Sequence, residues 1–123
     1  MEQKQVLLVE DEKNIRELYA MALINAGIDI LMAEDGEQGV ALALKHHPSL
    51  ILMDISMPVL DGHEAVKKIR ADSWGKNAKI IFLTNHSEAT NVAHAISQHP
   101  EDYIVKVNTP VKEIINRVRE AMY

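Results

Sequence analysis

Leu50–Ile51–Leu52–Met53, followed at once by Asp54, is the stretch that decides how the chain folds. The apolar run is too short for a helix and is composed of residues that suit a fully buried strand, and it stops on a carboxylate. Runs of the same kind recur at 6–9, 80–83 and 103–105, with a weaker one at 28–32. Between them apolar residues recur at helical spacing. The first such stripe is Ile15, Leu18, Tyr19, Ala22, Leu23 and Ala26; the next are Val40, Ala43 and Leu44, then Val66 and Ile69. Ala89, Val92, Ala93 and Ile96 form a fourth stripe, and Val111, Ile114, Ile115, Val118 and Met122 a fifth. The pattern reads as strand–helix repeated five times. Strict alternation implies parallel strands joined by right-handed crossovers, hence one sheet with helices on both faces, an α/β doubly wound (βα)5 domain.

Local signals agree with those boundaries. Asp35 with Gln38 and Asp61 with Glu64 have the spacing of capping boxes, Gly27 can close the first helix in a left-handed conformation, and Thr109–Pro110 can open the last. The four prolines all fall between elements or at a helix start. At 123 residues the chain is expected to be one domain over 1–123, with no output domain within it.

Composition narrows the chemistry. Hydrophobic residues make up 47% and charged ones 25%, the balance of a globular protein. Cysteine is absent, which removes disulfides, thiol catalysis and cysteine-ligated metals. No apolar run has the length of a membrane span, and Glu2 and Glu10 stand where a signal peptide would be apolar, so a cytoplasmic location is expected. A net charge of −5 argues against direct nucleic-acid binding and for a cationic ligand. The six histidines do not fall at metal-ligand spacing and are expected at the surface, except that the loop carrying His86 borders the site below. Trp74 is expected to cap the lower core.

In an open parallel sheet the ligand site lies beyond the carboxyl ends of the strands. There the chain places Glu10, Asp11 and Glu12 after the first run, Asp54 after the third, Thr84 after the fourth and Lys106 after the fifth. Carboxylates gathered this closely stay ionised only beside a cation, and an oxygen-only ligand set with room for water suits Mg²⁺. A carboxylate flanked by a metal, a lysine and a hydroxyl is placed for nucleophilic chemistry such as aspartyl-phosphate formation.

Together, Val9–Glu10–Asp11–Glu12, Met53–Asp54–Ile55–Ser56–Met57–Pro58 with Asp61–Gly62, Leu83–Thr84 and Asp102–Tyr103–Ile104–Val105–Lys106 resemble the receiver domains of two-component response regulators. The resemblance runs from Val6 to Met122. It implies the flavodoxin-like strand order 2-1-3-4-5 and a regulatory phosphoacceptor rather than a turnover enzyme. It implies that Asp54 takes a phosphoryl group from a histidine kinase, a phosphotransfer protein or a small phosphodonor. Glu10, Asp11, Asp54 and the backbone carbonyl of Ser56 are then the Mg²⁺ ligands. Thr84 and Lys106 hold the phosphoryl oxygens, and Thr84 with Tyr103 forms the switch that alters the last helix–strand–helix surface for a downstream protein or output domain.

Two positions depart from the family pattern. Val107 follows Lys106 where the family has a proline in cis, and since a cis bond before a non-proline residue costs about 2.5–4 kcal/mol, a trans peptide is expected. Asn85 stands where a small residue is usual, and Ser56 and His86 occupy positions that tune phosphoryl lifetime. Two other classes fit less well. A haloacid-dehalogenase-like phosphohydrolase needs a second aspartate where Ser56 stands, and a flavin mononucleotide binder needs a phosphate loop where Glu10–Asp11–Glu12 would repel it. An interaction module of the same fold that takes no phosphate is the remaining alternative.

Overall fold

The computed structural model describes residues 4–84, 102–106 and 109–122, apart from the side chains of 102 and 105. Five strands form one parallel sheet: β1 (Gln5–Val9), β2 (Asp29–Ala33), β3 (Leu50–Asp54), β4 (Ile80–Thr84) and β5 (Asp102–Val105), in the order β2-β1-β3-β4-β5. Helices α1 (Lys13–Asn25), α2 (Gly36–His46) and α3 (Gly62–Ala71) connect them, and a C-terminal helix spans Val111–Met122. The doubly wound reading and its strand order therefore hold. The stripe at 89–96 lies outside the described residues, as do Asn85, His86, His94, His99, Pro100 and Val107.

The strands are apolar throughout because both faces are covered. Val6 and Leu8 of β1 face one core with Leu50 and Leu52, packed under α1 and the C-terminal helix. Leu7 and Val9 face the other with Ile51, Met53 and Phe82, packed under α2 and α3. Neighbours stay in step, with Val9 beside Met53 and Asp54 beside Leu83, so the strands end nearly level and their last residues share one edge. Asp54 and Thr84 are the last residues of their strands rather than the first of their loops.

One expected core position fails. Leu18 is 55% exposed, and Ala20 is buried with Tyr19 and Leu23 in its place. Leu18, Met21 and Ile24 lie three residues apart on the outward side of α1, where spacing alone does not tell one apolar flank from the other.

Helix ends follow the signals with one change. Asp35 and Asp61 accept from the amides of Gln38 (2.8 Å) and Glu64 (2.9 Å). The Gln38 carbonyl oxygen, however, accepts from the amide of Glu34 (3.0 Å), one residue earlier than the reciprocal bond of a capping box. Gly27 (φ 82°) closes α1, with Ile28 N donating to Leu23 O at 3.0 Å. Between β3 and α3, Leu60 N donates to Pro58 O (2.8 Å) across Val59, whose φ is 70°. That is a γ-turn centred on a β-branched residue, a conformation strained by about 1–3 kcal/mol. At the opposite end of the sheet the His47 and Trp74 rings stack 4.5 Å apart, so Trp74 covers the lower core as expected, from between α2 and the turn at Gly75–Asn77.

Candidate functional site

Glu10 is held from four directions. Its amide donates to Ala33 O (3.1 Å), its carbonyl accepts from Arg16 Nη1 (2.8 Å), Oε2 accepts from the Glu12 amide (3.1 Å) and Oε1 from Lys106 Nζ (2.8 Å). The residue is wholly buried, although sequence position alone places it in a loop. Asp54, 2% exposed, projects from the end of β3 beside it. One carboxylate oxygen from each of Glu10, Asp11 and Asp54 lies within 4.8 Å of the others. Lys106 Nζ is also 3.1 Å from Asp54 Oδ1, which meets no aligned hydrogen-bond donor among the described residues. One ammonium thus sits between two buried carboxylates, closer to Glu10 than to Asp54.

The charge balance shows in the titration behaviour. Asp54 is pushed up to about 8, first by burial and then by the charge of Glu10, which the Lys106 ammonium only partly offsets. Burial works against the charge on Lys106, but the bond to Glu10 and the two carboxylate charges outweigh it and hold the ammonium above the ordinary lysine range. Three carboxylates gathered against one ammonium, two of them buried, make an over-acidic cluster of oxygen ligands that fits a hard divalent cation.

The other expected residues fall around this core. Thr84 is buried at the end of β4, one strand over from Asp54, and pairs in register with Val105, next to Lys106. Tyr103 lies on β5 with its ring stacked on Phe82, centroids 5.0 Å apart, and Phe82 in turn meets His63 of α3 at 5.0 Å. Ser56 is exposed two residues past Asp54, in an open hollow it shares with Met57, Pro58, Asp61 and His63. Lys106 reaches the carboxylates even though valine, not proline, follows it. Glu12 points away into solvent and contributes only its amide.

The contacts of three residues at the site escape sequence reasoning, although Gly62 itself stands in the Asp61–Gly62 motif. Gly62 starts α3 against Asp54, and a β-carbon there would collide with the Asp54 carbonyl and the Ile55 Cα. Its neighbour Asp61 signalled a helix start, but nothing signalled that approach. Tyr19 is buried under the site, and its phenol is held above its ordinary range by burial, against the pull of Lys106 and with the push of Glu10 and Asp54. Arg16 lies outside the apolar stripe of α1, yet it is buried and turned toward the β1–α1 loop.

A parallel sheet of this order, with an acidic cluster and a lysine at its carboxyl edge, defines the receiver class. The chain belongs to the response regulator receiver domain family, whose model matches residues 6–119. Among curated relatives it is 34% identical to the phosphate regulon transcriptional regulatory protein PhoB of Pseudomonas aeruginosa, over 97% of this chain and 52% of that protein. It is 32% identical to a probable transcriptional regulator, ycf27, of Porphyridium aerugineum, over 99% of this chain and 49% of that one. The chain thus spans about half the length of these relatives. Among solved structures, chemotaxis protein CheY4 of Vibrio cholerae superposes with a TM-score of 0.86 at 27% identity, covering 98% of this chain and 99% of that one. The receiver domain of a sensor histidine kinase from Pseudomonas aeruginosa gives 0.87 at 28% identity, covering 98% of each chain, and holds a magnesium ion coordinated in its active site cleft. The family is regulatory, acting in two-component signalling. No described helix is long and apolar enough to cross a membrane.

Proposed function

We propose that the chain is a phosphorylation-controlled switch in which Asp54 is the phosphoacceptor. The observation that carries this is the buried Asp54 carboxylate with Glu10 and Asp11 within 4.8 Å and Lys106 Nζ at 3.1 Å. Glu10, Asp11 and Asp54, with the Ser56 carbonyl, are the residues that would hold Mg²⁺. Bound there, the ion would supply neutralisation of the charge on the transferring phosphoryl oxygens.

The remaining roles belong to the chain. An Asp54 carboxylate oxygen attacks phosphorus, the O–P bond forms, and the bond to the donor, a histidine nitrogen or the acyl oxygen of a small phosphodonor, breaks with its electron pair. Asp54 must be deprotonated to attack, and Lys106 favours that form. After transfer Lys106 exchanges its contact with the acids for a phosphoryl oxygen, and the Thr84 hydroxyl donates to another. Thr84 ends the strand beside β5, so its movement reaches Tyr103 and the surface of the last helix–strand–helix unit. The partners of this reading are a sensor kinase or phosphotransfer protein upstream and a protein target or output domain downstream, in the cytoplasm.

Intact-protein mass after incubation with acetyl phosphate tests it. One added phosphoryl group that requires both Mg²⁺ and Asp54 is the expected result. Asp54→Asn should fold and take up nothing, and a variant that still gains one group elsewhere would sink the assignment. No uptake by the parent protein from either acetyl phosphate or a histidine-phosphorylated donor leaves the non-phosphorylated interaction module as the reading.

A further inference from the structure

Arg16 is the one arginine among the buried charged residues described, and it touches none of the carboxylates of the acidic cluster. Its Nη1 donates to the carbonyl of Glu10 at 2.8 Å and lies 3.4 Å from that of Asp11, while Nη2 lies 3.4 Å from Glu34 Oε1. The guanidinium therefore grips the two successive peptide groups that carry the Glu10 and Asp11 side chains. The peptide before Glu10 is fixed independently, by the Glu10 amide on Ala33 O at the end of β2. Glu10 also has its carboxylate tethered by Lys106 and by the Glu12 amide.

We propose that Arg16 is a positioning residue for the divalent cation: by clamping the carbonyls of Glu10 and Asp11 it aims the Asp11 carboxylate at Asp54. This rests on the reading of the acidic cluster as a Mg²⁺ site. The effect is geometric, since the charges acting on Asp54 are those of Glu10 and Lys106 rather than that of Arg16. Nη1 alone meets both neighbouring carbonyls while Nη2 faces Glu34, a planar spread of donors that the single point charge of lysine does not offer. Glu34, two-thirds exposed, serves to steady the guanidinium and does not itself shape the site.

The test is Mg²⁺ binding by isothermal titration calorimetry on the parent chain, Arg16→Gln, Arg16→Lys and Glu34→Gln, with urea stability of each measured in EDTA. Groups that orient metal ligands from behind typically change metal affinity by about 10–100-fold when removed, so Arg16→Gln is expected to raise the Mg²⁺ Kd about tenfold or more. Labelling by acetyl phosphate should then recover as Mg²⁺ is raised, which separates positioning from loss of the phosphoacceptor. Arg16→Lys is expected between the two. Glu34→Gln should stay within about twofold of the parent, because an exposed ion pair contributes little. Lower stability of Arg16→Gln in EDTA with an unchanged Kd would mean a purely structural arginine and overturn the inference. If Arg16→Gln does not fold, a parental Kd in Arg16→Lys overturns it equally. A loss in Glu34→Gln as large as in Arg16→Gln would overturn the carbonyl clamp. A parent chain that binds no Mg²⁺ overturns the metal-site reading itself, a result that the parent titration alone gives.

Discussion

In the proposed role Asp54 carries two opposed demands: attack on phosphorus would require the carboxylate, while its burial beside Glu10 favours the neutral acid and pushes it up to about 8. Between about pH 4 and pH 8 the folded, metal-free chain therefore holds a proton that the unfolded chain has released. Stability linked to this group is present at the acid end of that window and is lost as pH rises. Urea titrations in EDTA should show the parent chain losing stability from pH 5 to pH 8 relative to Asp54→Asn, by up to a few kcal/mol. Parallel pH profiles would show that Asp54 is already ionised at pH 5. The lysine gives a second expectation. Removing one partner of a buried ion pair costs about 3–5 kcal/mol because the other charge is left uncompensated, so Lys106→Met should be strongly destabilised at pH 8 in EDTA. Adding Asp54→Asn should recover part of that loss, since only Glu10 then lacks its cation.

At the scale of elements, the two helix starts that flank the site are held by different means. Asp35 caps α2 through its side chain, and Asp35→Ala should cost about 1 kcal/mol, as cap removal usually does. Gly62 opens α3 against the backbone of Asp54 and Ile55, with no flexible side chain to yield. Gly62→Ala must displace one of these chains, and the expected loss, about 1–3 kcal/mol by the usual overpacking scale, exceeds that of Asp35→Ala. Urea midpoints measured at equal m-values would rank the two, and a milder Gly62→Ala would mean that the α3 start can move away from Asp54. The caps were legible because the residue that satisfies an orphan amide sits next to it in sequence. The collision at Gly62 was not, since it is made with a strand residue that no local pattern points to. Leu18 shows the same limit: helical period told that α1 is two-sided, but which apolar flank meets the sheet depends on how α1 is rotated over β1 and β3.

Over the whole molecule, Glu10 and Lys106 are separated by 96 positions and meet at 2.8 Å only because five strands end on one edge. The acidic cluster therefore exists only in the folded chain, and Mg²⁺ should stabilise by mass action: about 2.7 kcal/mol at a free concentration one hundred times its Kd. Denaturation at stepped MgCl₂ checks this, and an unfolding free energy that does not change with Mg²⁺ would contradict a metal site built from these segments. Trp74 lies at the far end of the sheet against His47, so its fluorescence should follow unfolding and not ligand binding. The alternation of short apolar runs with helical stripes determined the class of fold, because burial on both faces forces that pattern on any parallel sheet. The position of Glu10, Asp11, Asp54, Thr84 and Lys106 at strand ends likewise determined which residues gather, since strand ends in such a sheet are neighbours whatever their distance in sequence. Only the tertiary structure decided the depth at which Glu10 is buried, the placing of one ammonium between two carboxylates, and the turning of Arg16 inward to the carbonyls of the loop. Those features depend on distances of about 3 Å, the length of a hydrogen bond, between groups from different elements, and sequence periodicity carries no information at that scale.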